Sequence, residues 1–394
     1  MSLPRKMSVL LSTLSEDGVR GVFRRIHKSQ SLWWYSRRGR KLNYQFGWQS
    51  EHPVLVIESD DWGAERVPGP DVIREMQGTG FYPKNLTAVC DGIERPNDVD
   101  RLCDVLNSHK DSGRNPAVIT ANFVMANPDF LAIRESNYSV FKAKIIDEGW
   151  NHEQDSAALW QSYRNGFRSG LIVPQLHGML HFCPDEWLRK LRQGDAVSLK
   201  AFSLQMIGER EDIASVGREG MGAIYHVEAE AINRLVEEGL GAFKRVFGMD
   251  SITTIAPCYA WRSPETEEAL LLQRIRVMQG REYQILPGWK MKAHYLGERG
   301  PGGTLYLVRN CLLEPVDAMT TVEQCIAQIE ESFRSGLPAI ICSHRMNYSS
   351  RVSTKFRDKG LSTLDGVLKQ ITKEFPDVEF LSSDKLALRI LEED

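Results

Sequence analysis

The sequence predicts a parallel α/β fold, namely a distorted (β/α) barrel of about seven strands with a basic, aromatic N-terminal arm. From residue 53 onward, short β-branched runs alternate with longer stretches that have helical spacing. The short runs are continuously apolar, which is typical of strands buried on both faces. No GxGxxG follows the first run and no GxxxxGK[ST] occurs in the chain. The loops that favour a doubly wound nucleotide-binding sheet are therefore absent, and we prefer the barrel.

The predicted elements follow one another in strand–helix order from residue 51 to residue 390. The seven predicted strands are 53–58, 117–121, 171–173, 251–255, 304–308, 339–342 and 378–381. The six predicted helices are 98–110, 152–167, 227–247, 265–275, 322–335 and 361–375, with Asp98 and Thr321 as N-cap residues. Segments 78–97 and 195–226 lack sustained periodicity, so we expect insertions that shape a substrate cleft.

Composition excludes several classes of protein. The chain carries 49 Lys and Arg against 52 Asp and Glu, a net charge of −3, so no overall field draws it toward nucleic acid or an anionic membrane. Seven cysteines without a CxxC pair do not resemble a disulfide framework, which favours a reducing compartment. No apolar run approaches the roughly 18–20 residues that span a bilayer. We therefore expect a cytoplasmic protein without a transmembrane segment and without a nucleic-acid partner.

The arm over residues 1–50 has the only strong local charge bias. Its basic and aromatic residues are Arg20, Phe23, Arg24, Arg25, Lys28, Trp33, Trp34, Tyr35, Arg37, Arg38, Arg40, Lys41 and Tyr44. One interpretation is an arm that touches a lipid headgroup or a glycan, which would be a peripheral membrane contact in the first case. The other is a helix whose aromatic stripe packs on the barrel while its charges face water, and we favour this one.

Polar residues follow two of the predicted strands. Asp60 and Asp61 come directly after the first strand, at the end where parallel barrels build their active sites. His177 and His181 follow the third strand, and a spacing of four places both imidazoles on one face if the turn is helical. Two histidines and one aspartate form a three-ligand set that leaves a coordination position open, as in catalytic metal sites. Nitrogen and oxygen ligands suit Zn²⁺, although Fe²⁺, Co²⁺ or Ni²⁺ also fit by ligand type.

Two further strands end in a cation or a titratable ring. Arg262 follows strand 251–255 and could hold a carboxylate ionised through a bidentate contact. His344 follows strand 339–342. Either residue alone has an ordinary structural explanation, as an ion-pair partner or a loop cap. Four such strand ends together favour a functional site.

These residues resemble the motifs of the polysaccharide deacetylases, carbohydrate esterase family four of the glycoside hydrolase/deacetylase superfamily, over about residues 53–385. The family's paired aspartates supply a general base and a metal ligand, which correspond to Asp60 and Asp61. Its H-x-x-x-H motif supplies the other two ligands, which correspond to His177 and His181. The resemblance implies a divalent metal, with Zn²⁺ as the first candidate, in a distorted barrel.

The family's remaining motifs are matched less completely. Its R-x-P motif, which orients the base, is similar to Arg262-Ser-Pro264, and its late general-acid histidine is similar to His344. Trp62 stands between the second aspartate and the glycine of the usual D-D-G. The motif that supports the acid is not recognisable, although Trp289 offers its tryptophan and Glu314 offers a carboxylate after another strand.

The leading hypothesis is metal-dependent hydrolysis of an N-acyl group, most simply acetyl, on a sugar, with Asp60 as general base and His344 as general acid. The substrate of a cytoplasmic enzyme would be a nucleotide-linked or lipid-linked sugar rather than a finished wall polymer. A second hypothesis is a glycosidase that uses Asp60 with Glu314. A third is a carbohydrate-binding module without turnover, in which three tryptophans stack on sugars. These are Trp62, Trp261 and Trp289.

Overall fold

The computed structural model describes residues 30–77, 90–207 and 227–393. The strands are β1 (Val54–Trp62), β2 (Ile119–Phe123), β3 (Ala126–Pro128), β4 (Ala143–Ile145), β5 (Ile172–Leu176), β6 (Thr253–Ile255), β7 (Val277–Arg281), β8 (Tyr283–Leu286), β9 (Lys290–Ala293), β10 (Leu305–Arg309), β11 (Cys311–Leu312), β12 (Ala339–His344) and β13 (Glu379–Leu381). The described helices are α1 (30–46), α2 (Pro70–Gln77), α3 (Pro96–Ser108), α4 (Phe130–Glu135), α5 (Ser156–Arg168), α6 (Pro184–Arg192), α7 (Ala196–Ser203), α8 (Ala229–Phe247), α9 (Glu265–Leu272), α10 (Val322–Arg334), α11 (Thr354–Glu374) and α12 (Ser383–Glu392).

The main sheet is a nearly closed parallel barrel, as the sequence predicts. Its strand order is β10-β7-β6-β5-β2-β1-β12-β11, with β13 also paired to β1. Closure depends on Asn310, which separates β10 from β11. Strand β10 pairs with β7, whereas its continuation β11 pairs with β12. The Asn310 side chain accepts from the Ile340 backbone N–H at 2.8 Å and donates to the Pro338 carbonyl at 2.8 Å, which ties the two sides together.

All seven predicted strands are present, with bounds that differ by a few residues. The prediction missed β7, because Val277-Met-Gln-Gly-Arg281 is not a β-branched run. Its polar Gln279 faces the barrel interior and hydrogen-bonds Asn122 and Thr253 there. Polar residues on the inner face hid this strand from a search for apolar runs.

The predicted helices are also present, with one wrong cap, and the two insertions stay predictions. Thr321 caps α10 as predicted, accepting from the Gln324 N–H at 3.3 Å. Asp98 is not an N-cap, because α3 begins two residues earlier at a proline and Asp98 instead accepts from the backbone N–H of Arg95 at 2.9 Å. Within the predicted insertion 195–226, residues up to 207 include helix α7. The stretches 78–89 and 208–226 of the two predicted insertions lie outside the described residues.

Helix α1 packs lengthwise on the barrel wall, as the favoured interpretation of the arm expected. Gly39 lies so close to the Glu282 backbone that a Cβ would meet the carbonyl oxygen at 2.0 Å. Leu32 and Tyr35 pack on the apolar cluster of the barrel. The tryptophans differ from the expectation, since Trp33 is 62% and Trp34 is 48% exposed. The arm residues before 30 are outside the described part of the chain, and the boundary predicted at residue 50 stays a prediction.

A close helix-to-turn contact supports the loop after β12. A Cβ on Gly360 of α11 would lie 1.6 Å from the carbonyl oxygen of Asn347. We expect Gly360→Ala to lower the free energy of unfolding by about 1–3 kcal/mol, because α11 would have to move away from this turn. Urea denaturation would measure the change.

The matched control is Gly241→Ala in α8, where an added Cβ has open space within 4 Å. That variant should gain about 0.5–1 kcal/mol of stability from the better helix former. Equal effects of the two substitutions would contradict the packing argument.

Candidate active site

The adjacent carboxylates at the end of β1 face different partners. The pairing of β1 with β2 shifts register between Ser59 and Trp62, which marks a β-bulge. Asp61 has a φ of 72°, in the left-handed region that few residues other than glycine adopt. The bulge breaks the alternation of the strand. Asp60 points into the barrel, and Asp61 points toward the loop after β5.

Asp61 meets both predicted histidines. Its Oδ1 lies 3.3 Å from Nε2 of His177 and 3.1 Å from Nε2 of His181. The other ring nitrogen of His177, Nδ1, lies 3.0 Å from the Ile255 carbonyl, to which it donates. The proton of the neutral ring is therefore on Nδ1, and the Nε2 lone pair faces Asp61. A metal ligand requires this tautomer. The loop itself is not a helical turn, since Gly178 has a φ of 84°. The predicted convergence therefore occurs without the predicted helix.

The donor set fits a divalent metal ion. One ligand atom from each of the three residues lies within 4.8 Å of the other two. Asp61 Oδ1 is buried and accepts no hydrogen bond of acceptable geometry, although two ring nitrogens face it. A buried carboxylate oxygen without a partner is costly, and a cation among these atoms removes that cost. One oxygen and two nitrogens suit Zn²⁺ among other metals.

Arginines behind Asp61 hold it in this orientation. Arg66 Nη2 lies 3.3 Å from Asp61 Oδ2, and Arg66 Nε lies 3.0 Å from Oδ2 of Asp91. Asp91 in turn accepts from Arg345 Nε at 3.0 Å. Burial alone would raise the pKa of Asp61, but the Arg66 guanidinium and the His181 ring outweigh it and lower the pKa well below its usual range. Asp61 is consequently an anion whose Oδ1 faces the two imidazoles.

Asp60 is clamped by a buried arginine that the sequence analysis did not select. Arg309 donates to Asp60 Oδ2 at 2.6 Å and to Oδ1 at 2.7 Å, and Asn122 donates to Oδ1 at 2.8 Å. Arg309 Nε also donates to Glu58 at 2.5 Å. Burial alone would raise the pKa of Asp60, but Arg309 outweighs it and lowers the pKa to about 2. Asp60 is therefore ionised at neutral pH.

The expected pairing of Arg262 with Asp60 is wrong. Arg262 Nε donates to the Val227 carbonyl at 2.7 Å, and its Nη2 lies 3.7 Å from Glu228. The R-x-P motif thus lies beside the start of α8. Arg309, at another strand end, makes the bidentate contact with Asp60 that was expected of Arg262.

His344 lies at the same mouth and has a carboxylate partner. Its Nδ1 is 2.6 Å from Glu314 Oε1, and its Nε2 is 4.0 Å from Asp60 Oδ2. Asn347 donates to the other oxygen of Glu314 at 2.8 Å. Burial would lower the pKa of His344, but the Glu314 carboxylate outweighs it and raises the pKa well above its usual range. Glu314 therefore supplies the support for the imidazole that the sequence motifs did not reveal.

The two alternative hypotheses lose support at this site. Glu314 hydrogen-bonds His344 and Asn347 and Asp60 binds Arg309, so neither carboxylate has the role of a glycosidase acid. Trp62 and Trp261 are 1% and 2% exposed and cannot stack on a sugar. Trp62 instead packs in the aromatic core near Phe123. The β-bulge accommodates this additional residue between the second aspartate and the glycine.

Comparisons with known proteins add a likeness to solved structures. No protein-family model and no curated protein matches the chain. A candidate polysaccharide deacetylase from Mycobacterium smegmatis has a TM-score of 0.45 at 11% identity, over 88% of this chain and 93% of that one. Peptidoglycan deacetylase PdaC from Bacillus subtilis has a TM-score of 0.38 at 8% identity, over 87% and 93%. A CE4 family pseudoenzyme from Bacillus anthracis has a TM-score of 0.36 at 7% identity, over 85% and 66%.

The chain is thus similar, over most of its length, to solved structures of polysaccharide and peptidoglycan deacetylases.

The pairing of Asp60 with Arg309, in place of the expected pairing with Arg262, can be tested by substitution. We predict that Arg309→Gln lowers the free energy of unfolding at neutral pH by about 3–5 kcal/mol, because Glu58 and Asp60 are left buried without a cation. Without the cation the carboxylates have raised pKa values, so they gain protons as the pH falls and the deficit shrinks. Urea denaturation at neutral and acidic pH would measure both effects.

The matched control is Arg262→Gln, since the Arg262 side chain is 25% exposed and pairs with an exposed glutamate. We expect it to change stability by less than about 1 kcal/mol, with no recovery at acidic pH. A larger deficit for Arg262→Gln than for Arg309→Gln would restore the original assignment.

Proposed function

We propose that the chain is a metal-dependent hydrolase that removes an N-acyl group, acetyl in the simplest case, from a sugar. One observation carries the proposal. Asp61, His177 and His181 converge at the mouth of the barrel, beside Asp60, whose pKa is lowered by Arg309, and His344, whose pKa is raised by Glu314. Asp60 is able to accept a proton and His344 to donate one, which is the pairing that amide hydrolysis requires.

The metal would be held by Asp61, His177 and His181, with Zn²⁺ as the most suitable ion for these ligands. A bound divalent ion polarises an acyl oxygen and lowers the pKa of water toward neutrality, which reduces the basicity that Asp60 must supply. Arg66 contacts Asp61 and the Ile255 carbonyl accepts from His177, so both side chains would be oriented toward the metal.

The side chains around the ion divide the proton transfers between them. Asp60 accepts the proton of the water whose oxygen adds to the acyl carbon, and Arg309 keeps its carboxylate in one orientation. His344 then donates its Nε2 proton to the nitrogen of the breaking C–N bond. Glu314 holds the imidazolium through Nδ1. The products are a carboxylate and the free amine of the sugar.

The ligand set is tested by elemental analysis. Asp61→Ala should lose both the metal and N-acyl hydrolysis, because it removes the oxygen donor between the two imidazoles. Asp60→Asn should keep the metal and lose about 10²–10⁴-fold in rate, because Asp60 accepts a proton without being a ligand. Release of acetate from an N-acetylated oligosaccharide would measure the rate.

Exhaustive chelation is the companion measurement. Full hydrolysis by metal-free protein, or full metal content in Asp61→Ala, would contradict the proposed centre.

The protonated state of His344 gives a pH prediction. Its pKa is raised by Glu314, so the proton is present through neutral pH and lost as the pH rises through the raised pKa. The rate should therefore fall on the alkaline side. Glu314→Gln removes the carboxylate that stabilises the imidazolium, so that fall should begin at a lower pH. Plots of kcat/KM against pH for both proteins would show the displacement.

Glu323→Gln, an exposed change on α10, removes the same charge away from the site and should leave the profile in place. An unchanged alkaline limb in Glu314→Gln would contradict the assignment of His344 as the acid.

A further inference from the structure

One face of helix α1 combines exposed tryptophans with uncompensated positive charge. We define the α1 outer face as Trp33, Trp34, Arg37, Arg38 and Lys41, all of which are exposed. Trp33 and Trp34 are 62% and 48% exposed, among the largest exposures of aromatic side chains in the described residues. Such adjacent tryptophans on a surface normally mark a contact with a partner.

The charge of this helix is of one sign. Residues 30–46 contain four Lys and Arg and no Asp or Glu. The Arg37 guanidinium lies 5.4 Å from the ring centroid of Trp33, and that of Arg38 lies 5.3 Å from the ring centroid of Trp34. Each indole ring on this surface therefore has a guanidinium group next to it. Indole rings favour the headgroup region of a bilayer, and lysines and arginines favour anionic lipids.

The opposite face of α1 fixes the helix on the barrel. The Ser36 hydroxyl donates to Glu282, and Asn43 Oδ1 accepts from the Leu296 N–H at 2.7 Å. These residues recur at helical spacing on the inner side. These inner contacts hold the helix on the barrel. The exposed outer face therefore points away from the barrel.

The helix also has a defined direction relative to the active site. Its last residues lead to Gly47, which sits beside Leu337, just before the start of β12. Ser36 and Gly39 contact Glu282, which follows the carboxyl end of β7. Helix α1 therefore runs along the barrel wall from the carboxyl ends of the strands toward their amino ends, and Trp33 and Trp34 lie toward the end at which Asp60 and Asp61 are placed.

We propose that the α1 outer face docks on an anionic lipid surface and presents the mouth of the barrel to the headgroup region. This inference rests on the proposed function where it concerns the substrate, which would be an N-acylated amino sugar carried by a lipid. Uniform positive charge favours an anionic bilayer over a second copy of the chain, because two such faces would repel each other. No helix in the described ranges is long and apolar enough to cross a bilayer, so the contact would be peripheral.

Vesicle sedimentation of the full chain tests the docking. The protein should bind phosphatidylcholine vesicles that contain phosphatidylglycerol, should not bind vesicles of phosphatidylcholine alone, and should be released by high salt. Arg37→Gln with Arg38→Gln should weaken partitioning about 30-fold, which corresponds to about 1 kcal/mol for each basic residue. Trp33→Ala with Trp34→Ala should weaken it by at least about tenfold through lost apolar burial.

Two control variants match these changes elsewhere on the surface. Arg164→Gln with Arg168→Gln removes two exposed cations from α5, and Leu131→Ala with Leu272→Ala removes exposed apolar side chains. Both should bind vesicles as the unchanged chain does. The inference is overturned if the chain does not bind anionic vesicles, if the controls lose as much binding as the α1 variants, or if the tryptophans instead mediate self-association. Sedimentation needs no turnover, so its outcome is independent of the metal and acyl-release measurements.

Discussion

The arrangement of this site depends on the hydrogen bonds that the buried guanidinium of Arg309 donates to two carboxylates. Glu58 and Asp60 both point into the barrel from β1, and an unpaired carboxylate there would cost several kcal/mol. Arg309 reaches both from β10 and binds each oxygen of Asp60, so that carboxylate has a single orientation. Burial raises the pKa of Glu58, whereas Arg309 lowers that of Asp60 to about 2. The pKa values of two acids on one strand are thereby moved in opposite directions, and Asp60 is the one held as an anion.

The sequence was sufficient to predict which side chains come together, since parallel strands end at one edge and polar residues followed those strands. Asp61, His177 and His181 meet as expected. The local conformations that bring them together were not predictable in the same way. The left-handed φ at Asp61 and the glycine-based turn after His177 are selected by tertiary packing, which overrides the residue-level preference for a helical turn.

The choice between candidate arginines shows where sequence reasoning ends. Arg262 and Arg309 both follow a predicted strand, so the same rule points to each. Which one reaches Asp60 depends on how the barrel closes, and closure depends on the break at Asn310 between β10 and β11. Glu314 was visible as a carboxylate after a strand, but its pairing with His344 depends on β11 lying beside β12, which the sequence did not show. The partners of Asp60 and His344 are set by the pairing of strands that are distant in the sequence. The local residue pattern does not reveal that pairing.

Asp60 and His344 each have an oppositely charged partner at the mouth, whereas Asp61 has one at only one of its two oxygens. Asp60 is neutralised by Arg309, and His344 by Glu314. Asp61 Oδ2 faces Arg66, but its Oδ1 faces only two ring nitrogens, one of which is fixed as an acceptor by the bond from His177 to Ile255. Acceptor atoms that face one another repel unless something positive lies among them. Asp61 Oδ1 is therefore the place at which the proposed divalent cation would find its ligands, next to Asp60 and His344 as the proposed base and acid.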